Sequence, residues 1–194
     1  VNLREAISYP TYIDVSYLVT DPENKYQAVY LVVTGEFDGK AASEKIILDK
    51  YATSNRIVGL TPNHEYSISL GYIEILTDED TGEKSLADNI EDVINVRTSK
   101  VNYNLKIEKI SNGNVYFNYK MTNDYAFDTG EITLYSDGMP IDTVVLDSEK
   151  TKSANGYSNK LKLDQGNVFE IKVENATYGG KDANIPITKT FTIP

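Results

Sequence analysis

The stretch "IVGLTPNHEYSISLGYI", residues 57–73, decides how this chain is read. Leu60 is followed by five mostly polar or turn-forming residues before an aromatic ring returns at Tyr66. Tyr66, Ile68, Leu70 and Tyr72 then alternate with small residues, the two-residue period of a half-buried strand. Pro62 fixes φ and has no N–H to give to a ladder, so the chain must turn there. A chain that leaves one sheet at Leu60 and resumes in another at Tyr66 needs its corner held. The Tyr66 hydroxyl can do this by bonding to backbone a few residues upstream. Leu60, Pro62 and Tyr66 are therefore expected to be structural residues of a corner between two sheets.

Working outward, the same order of blocks occurs twice. "YIDVSYLV" at residue 12 finds its echo in "NVYFNYKM" at 114, "VYLVV" at 29 in "EITLY" at 131, and "KIILD" at 45 in "TVVLD" at 143. "GLTPNHEYSISL" at 59 aligns with "KLDQGNVFEIKV" at 162, so that Leu163 and Phe169 stand where Leu60 and Tyr66 stand. Almost every block alternates apolar and polar residues, and turn residues separate the blocks: "DPEN", "FDGK", "DTGE", "SNGN", "SDGM" and "YGGK". Asp-Gly between apolar runs is a strong hairpin signal, because both turn positions require positive φ. No segment keeps a capped helical period; "EKSLADNIEDV" comes nearest and is expected to be a loop with at most one helical turn. The fold class expected is all-β, two tandem antiparallel sandwiches, residues 1–98 and 99–194. A short polar linker around 98–103 suggests a semi-rigid rod.

Composition removes several functions. The chain has 194 residues, no Cys and one His, so it has no disulfide, no thiolate zinc site and no cysteine nucleophile. No apolar run is long enough to span a membrane, and membrane insertion is not expected. The net charge is −10, and residues 1–98 carry most of it, with 8 basic against 17 acidic groups. An acidic surface repels phosphate backbones and anionic lipids, so nucleic-acid binding is not expected either. The opening "VNLREAISYP" lacks a starting Met and any export signal, which reads as a piece of a longer protein. Plentiful Asn, Lys, Tyr and Ile fit an AT-rich genome.

"GLTPNHEYSISL" resembles the signature of fibronectin type III modules, in which a Gly-Leu-x-Pro turn leads to the tyrosine corner. "YIDVSYLVTDPEN" is similar to their second strand, with Tyr17 where most members carry Trp, and "INVRT" at 94 to their closing strand. Residues 99–194 resemble the family more loosely, or an immunoglobulin-like relative; Phe169 lacks the corner hydroxyl, and no Pro follows Leu163. The resemblance implies a non-catalytic spacer, adhesive unit or docking face in a cell-surface protein, secreted enzyme or bacteriophage tail. It offers no catalytic residues to carry over. The expected setting is therefore extracellular, on a Gram-positive surface or a phage virion, with flanking modules of the same polypeptide as neighbours and another protein or a surface glycan as a partner.

The residues themselves offer few chemical candidates. His64, the single histidine, sits in the corner turn and is expected to be exposed and without special contacts. The segment 74–93 is the most unusual: eight acids against Lys84 alone. As a loop between the last two strands of the first sandwich it is a candidate binding loop, with Glu79, Glu83 and Asp88 as contacts. Asp78 and Asp80 offer hard oxygens suited to calcium, although Gly82 and Glu83 do not fit an EF-hand. The plain alternative is a solvated hairpin turning at Thr81-Gly82. No cofactor other than calcium is expected. Fifteen tyrosines and no tryptophan raise a second function, carbohydrate binding on exposed coplanar rings, with Tyr12, Tyr26, Tyr51, Tyr72, Tyr125 and Tyr157 as candidates. Tyr17, Tyr30, Tyr66 and Tyr119 are assigned to the cores by alternation.

Overall fold

The computed structural model describes residues 1–101, 103–122, 125–152, 155–164, 166, 168–185 and 187–193, and the side chains of all of these but 148 and 151. The chain divides into two compact units, Val1–Ser99 and Lys100–Pro194. Among the described residues the structure is nearly all strand, with one four-residue helical turn, α1 (Ser148–Thr151), capped by the Asp147 carboxylate.

The first unit runs β1 (Asn2–Ser8), β2 (Tyr12–Leu18), β3 (Tyr26–Phe37), β4 (Lys40–Leu48), β5 (Ser54–Val58), β6 (Glu65–Thr77) and β7 (Lys84–Arg97). A three-stranded sheet in the order β1-β2-β5 packs on a four-stranded sheet in the order β4-β3-β6-β7, every pairing antiparallel. The alternating residues of both sheets meet in one core: Ile13, Val15 and Tyr17 from β2, Val29, Leu31 and Val33 from β3, and Tyr66, Ile68 and Leu70 from β6. Period-two alternation produces this directly, since it puts every second side chain on the buried face.

The second unit repeats the plan. It contains β8 (Tyr103–Ser111), β9 (Asn114–Met121), β10 (Thr129–Ser136), β11 (Met139–Asp147), β12 (Tyr157–Lys162), β13 (Val168–Tyr178), the two-residue β14 (Lys181–Asp182) and β15 (Ile187–Thr192). Its sheets are β12-β9-β8 and β11-β10-β13, with β14 and β15 both beside β13. Val115, Phe117, Ile132, Leu134, Phe169 and Ile171 are fully buried in its core. Each unit is thus an antiparallel sandwich of the fibronectin type III or immunoglobulin-like kind. The hairpins at Asp38-Gly39 and Asp137-Gly138 carry φ of 52° and 76°, and 47° and 83°, the left-handed pair that a tight hairpin demands.

One expectation fails here. Residues 83–93 do not form a loop with a helical turn; from Lys84 they belong to β7, paired with β6 along its length. The helical spacing of Leu86, Ile90 and Val93 comes from a register shift opposite Leu70/Gly71. A bulge adds one residue to a two-residue period, and the sum imitates three and four.

Candidate functional site

The corner comes first because it fixes everything around it. The Tyr66 ring is fully buried, and its hydroxyl accepts from the Thr61 N–H at 2.9 Å while donating to the Glu36 carbonyl at 2.9 Å. One phenol therefore ties the turn after β5 both to its own exit and to the end of β3. Leu60 is fully buried, and its N–H reaches the Thr11 carbonyl at 3.0 Å. His64 differs from expectation: it is half-buried, packs edge-on against Tyr66 at 5.3 Å, and its N–H donates to the Thr98 hydroxyl at 2.9 Å.

The second unit closes the same corner without a hydroxyl. Phe169 is fully buried and stacks on Phe191 at 5.4 Å. The Leu163 N–H bonds the Gly113 carbonyl at 2.9 Å, matching the Leu60 bond. The link from hairpin to corner is then made by Asp137, whose N–H donates to the Val168 carbonyl at 2.9 Å and whose carboxylate accepts the Val168 N–H at 3.1 Å.

The acidic segment is a β-ribbon. Glu74 lies on β6, Asp88, Glu91 and Asp92 lie on β7, and only Asp78 to Glu83 form the turn. Asp78 Oδ1 accepts the N–H groups of Asp80 and Thr81 at 2.9 and 2.8 Å. The bonds from Thr81, then from Asp80, hold its carboxyl below the usual range. Asp88 is far from that turn in register, opposite Ile73. Glu79 and Glu83 stay in the exposed turn. Among the described residues no three His, Asp or Glu side chains converge to hold a metal ion, and no helix is long and apolar enough to cross a membrane.

Asp88 instead completes a cluster that the alternation rule misplaced. Tyr30 is 2% exposed yet does not belong to the core. It points to the opposite face of β3, where its ring lies across Gly71; a Cβ there would meet the Tyr30 ring at 2.7 Å and the Asn89 carbonyl at 2.6 Å. The Lys45 ammonium sits 3.5 Å above the ring, and the Tyr30 hydroxyl donates to the Asp88 carboxylate. Burial, with that hydrogen bond, raises the phenol to about 12, and the same bond lowers Asp88. The signal for this in the sequence is Val29-Tyr30-Leu31: three consecutive large residues cannot share one face of a strand.

Five of the six candidate sugar-stacking rings pack on other aromatic rings. Tyr12 stacks on Tyr9 at 4.3 Å and carries the Arg56 guanidinium at 4.2 Å. Tyr26 packs on Tyr72 at 4.3 Å, Tyr125 on Tyr178 at 6.0 Å, and Tyr157 on Phe117 at 6.4 Å. Tyr51, 84% exposed, is the open ring of the six. Lys50, beside it, reaches Asp21 at 3.2 Å, Asn24 at 2.5 Å and the Tyr26 carbonyl at 3.4 Å. Three N–H donors of one ammonium meeting three acceptors make Lys50 a clamp between the β4–β5 turn and the β2–β3 loop.

No protein-family model matches the chain, and no curated protein matches it. Among solved structures, a two-domain fibronectin type III segment of chicken tenascin is similar at 15% identity, with 100% of each chain covered and a TM-score of 0.43. The fold is shown by the strand order and register of each unit.

Proposed function

We propose that the chain is a non-catalytic structural or adhesive segment of a larger extracellular protein, on a cell surface or in a virion. The observation that carries this reading is where the aromatic and polar chemistry goes. Tyr66, Phe169, Asp137 and Lys50 close corners and loops, and Tyr30, Tyr72 and Tyr135 bond acids on other strands. Catalysis needs polar groups converging on a pocket with shifted acidities matched to a task. The shifted groups here are instead paired within hairpins and across strands or, at Tyr103 and Tyr119, raised by burial against the second unit's core. An antiparallel sandwich tied at its corners resists pulling on its ends, which suits a segment that presents neighbouring modules at a fixed reach. The test is mechanical. Stretched between handles, the chain is expected to unfold in two cooperative events, each releasing one unit at about 3.3–3.6 Å per residue. Smooth extension without force peaks would sink the spacer reading. A rise in melting temperature with a bacterial cell-wall glycan would replace it with carbohydrate binding.

A further inference from the structure

We propose that the outer face of the β12-β9-β8 sheet, which is lined with lysines, receives the acidic tip of the β6–β7 hairpin from a second copy of the chain. Residues paired across strands share a face of the sheet. Val115, Phe117 and Tyr119 of β9 enter the core, so Asn114, Tyr116, Asn118 and Lys120 face outward. Opposite Asn114 stands Lys162, opposite Tyr116 stand Lys160 and Lys109, and opposite Asn118 stand Ser158 and Lys106. Lys106, Lys109, Lys120, Lys160 and Lys162 therefore lie on one side of the sheet, all exposed.

These lysines are not neutralised. Among the described residues none of the five is in an ion pair, whereas Lys150, Lys152 and Lys172 of the same unit each hold an acid. Lys109 lies over the Tyr116 ring at 4.7 Å. Against the five stand Glu108, in the bulge beside Lys109, and Asp142 of β11, which accepts the Lys162 N–H at 2.7 Å. The face stays positive on a chain of net charge −10. The fold does not demand this, because the matching face of the first unit sets Arg56 in a two-bond pair with Asp14.

The chain itself carries the complement. Past Glu74, where β3 stops pairing, β6 and β7 run on as a two-stranded ribbon to Thr77 and Lys84. Its tip holds Asp78, Glu79, Asp80 and Glu83, all exposed, and among the described residues none of these four is in an ion pair. Lys84 at the base is the one cation of the ribbon. Width matches as well as charge. β9 lies between β8 and β12, so Lys106 and Lys109 form one rail and Lys160 and Lys162 another, about 10 Å apart. A two-stranded tip about 5 Å wide fits between them. Both copies are acidic overall, but charges more than about 8 Å apart are largely screened at physiological salt, so the groups within the contact decide. Each copy offers one tip and one face, and copies join tip to face.

The proposal goes beyond the spacer reading, and its failure would leave the mechanical test on a single tethered chain untouched. The experiment is sedimentation velocity of the full chain over a concentration series. Association that grows with concentration is expected at about 0.15 M salt and should be lost at about 1 M. Lys109→Glu with Lys160→Glu should weaken it by about tenfold or more, as should Glu79→Lys with Glu83→Lys. Mixed in equal amounts, the two double variants should associate again, since each supplies the charge the other has lost. Lys109→Gln with Lys160→Gln serves if the reversed face melts early. Lys40→Glu, in the β3–β4 turn at the other end of β3 from the ribbon, should change nothing. No association, association that the folded variants keep, or a mixture that stays apart would overturn the proposal. So would binding of dextran sulfate by a chain that stays monomeric, which would give the face to a polyanion.

Discussion

A single hydroxyl separates the two corners. In Tyr66→Phe the Thr61 N–H and the Glu36 carbonyl lose their partner in a buried turn. Stranding such groups costs about 1–3 kcal/mol, and a domain of this size should melt about 4–8 °C lower for each of those kcal/mol. The second unit should be indifferent to that change and sensitive to Asp137→Ala, which removes the Val168 acceptor and a residue at positive φ. If Tyr66→Phe leaves its unit's melting temperature unchanged, the corner is held by packing alone. Ionisation gives a further prediction. Tyr30 and Tyr72 both titrate at about 12, raised by burial and then by their bonds to Asp88 and Glu91. A group raised in the folded state stabilises fully below its unfolded value of about 10. Stability should therefore fall as pH climbs from there through about 12, and Tyr72→Phe should flatten part of the fall. On the acid side, Asp78 and Asp88 are depressed, so their contribution holds above about pH 3.8 and fades as pH drops further.

At the level of the element, the β6–β7 hairpin shows how local signals can mislead. Its acids suggested a loop, yet the β6–β7 ladder runs on to Thr77 and Lys84, past Glu74, where β3 stops pairing. Gly71 marks the place where the ladder shifts, and Tyr30 fills the space that a side chain there would need. Gly71→Ala should therefore destabilise the first unit by about 1–3 kcal/mol through overpacking, and Tyr30→Phe should not rescue it, since the Asn89 carbonyl still blocks the Cβ. An unchanged melting temperature in Gly71→Ala would mean that the ring and the Asn89 carbonyl both give way at no cost. Millimolar calcium is expected to leave melting unchanged, because the Asp78 oxygen nearest the turn already holds two amides. A clear upward shift would show the carboxylates reorganising around the ion.

Across the whole molecule, the two units use one plan with different chemistry. The first concentrates net charge and exposed apolar surface; the second is close to neutral and presents charged pairs on the matching side. Thr98, buried in the first unit, bonds the Thr61 carbonyl, while Val101 is buried in the second unit's core. The division thus falls between Ser99 and Lys100, one residue beyond the expected 98/99 boundary. Raising salt should leave the mechanical strength of both units intact, since contacts buried in their cores are screened little.

Strand periods, Asp-Gly hairpins and the Leu60–Tyr66 corner were legible because each depends on neighbours in the chain: alternation on pleating, positive φ on the turn, the hydroxyl on residues five positions back. The second partner of Tyr66, the Glu36 carbonyl, the substitution of Asp137 for a phenol and the outward burial of Tyr30 were not legible. Each depends on which strands lie side by side, and register between distant strands is set by packing of whole sheets. Alternation determined that every second residue of β3 faces the same way. Only the tertiary structure decided that Tyr30 would be buried on the other side, by bringing Gly71, Lys45 and Asp88 from three other strands around it.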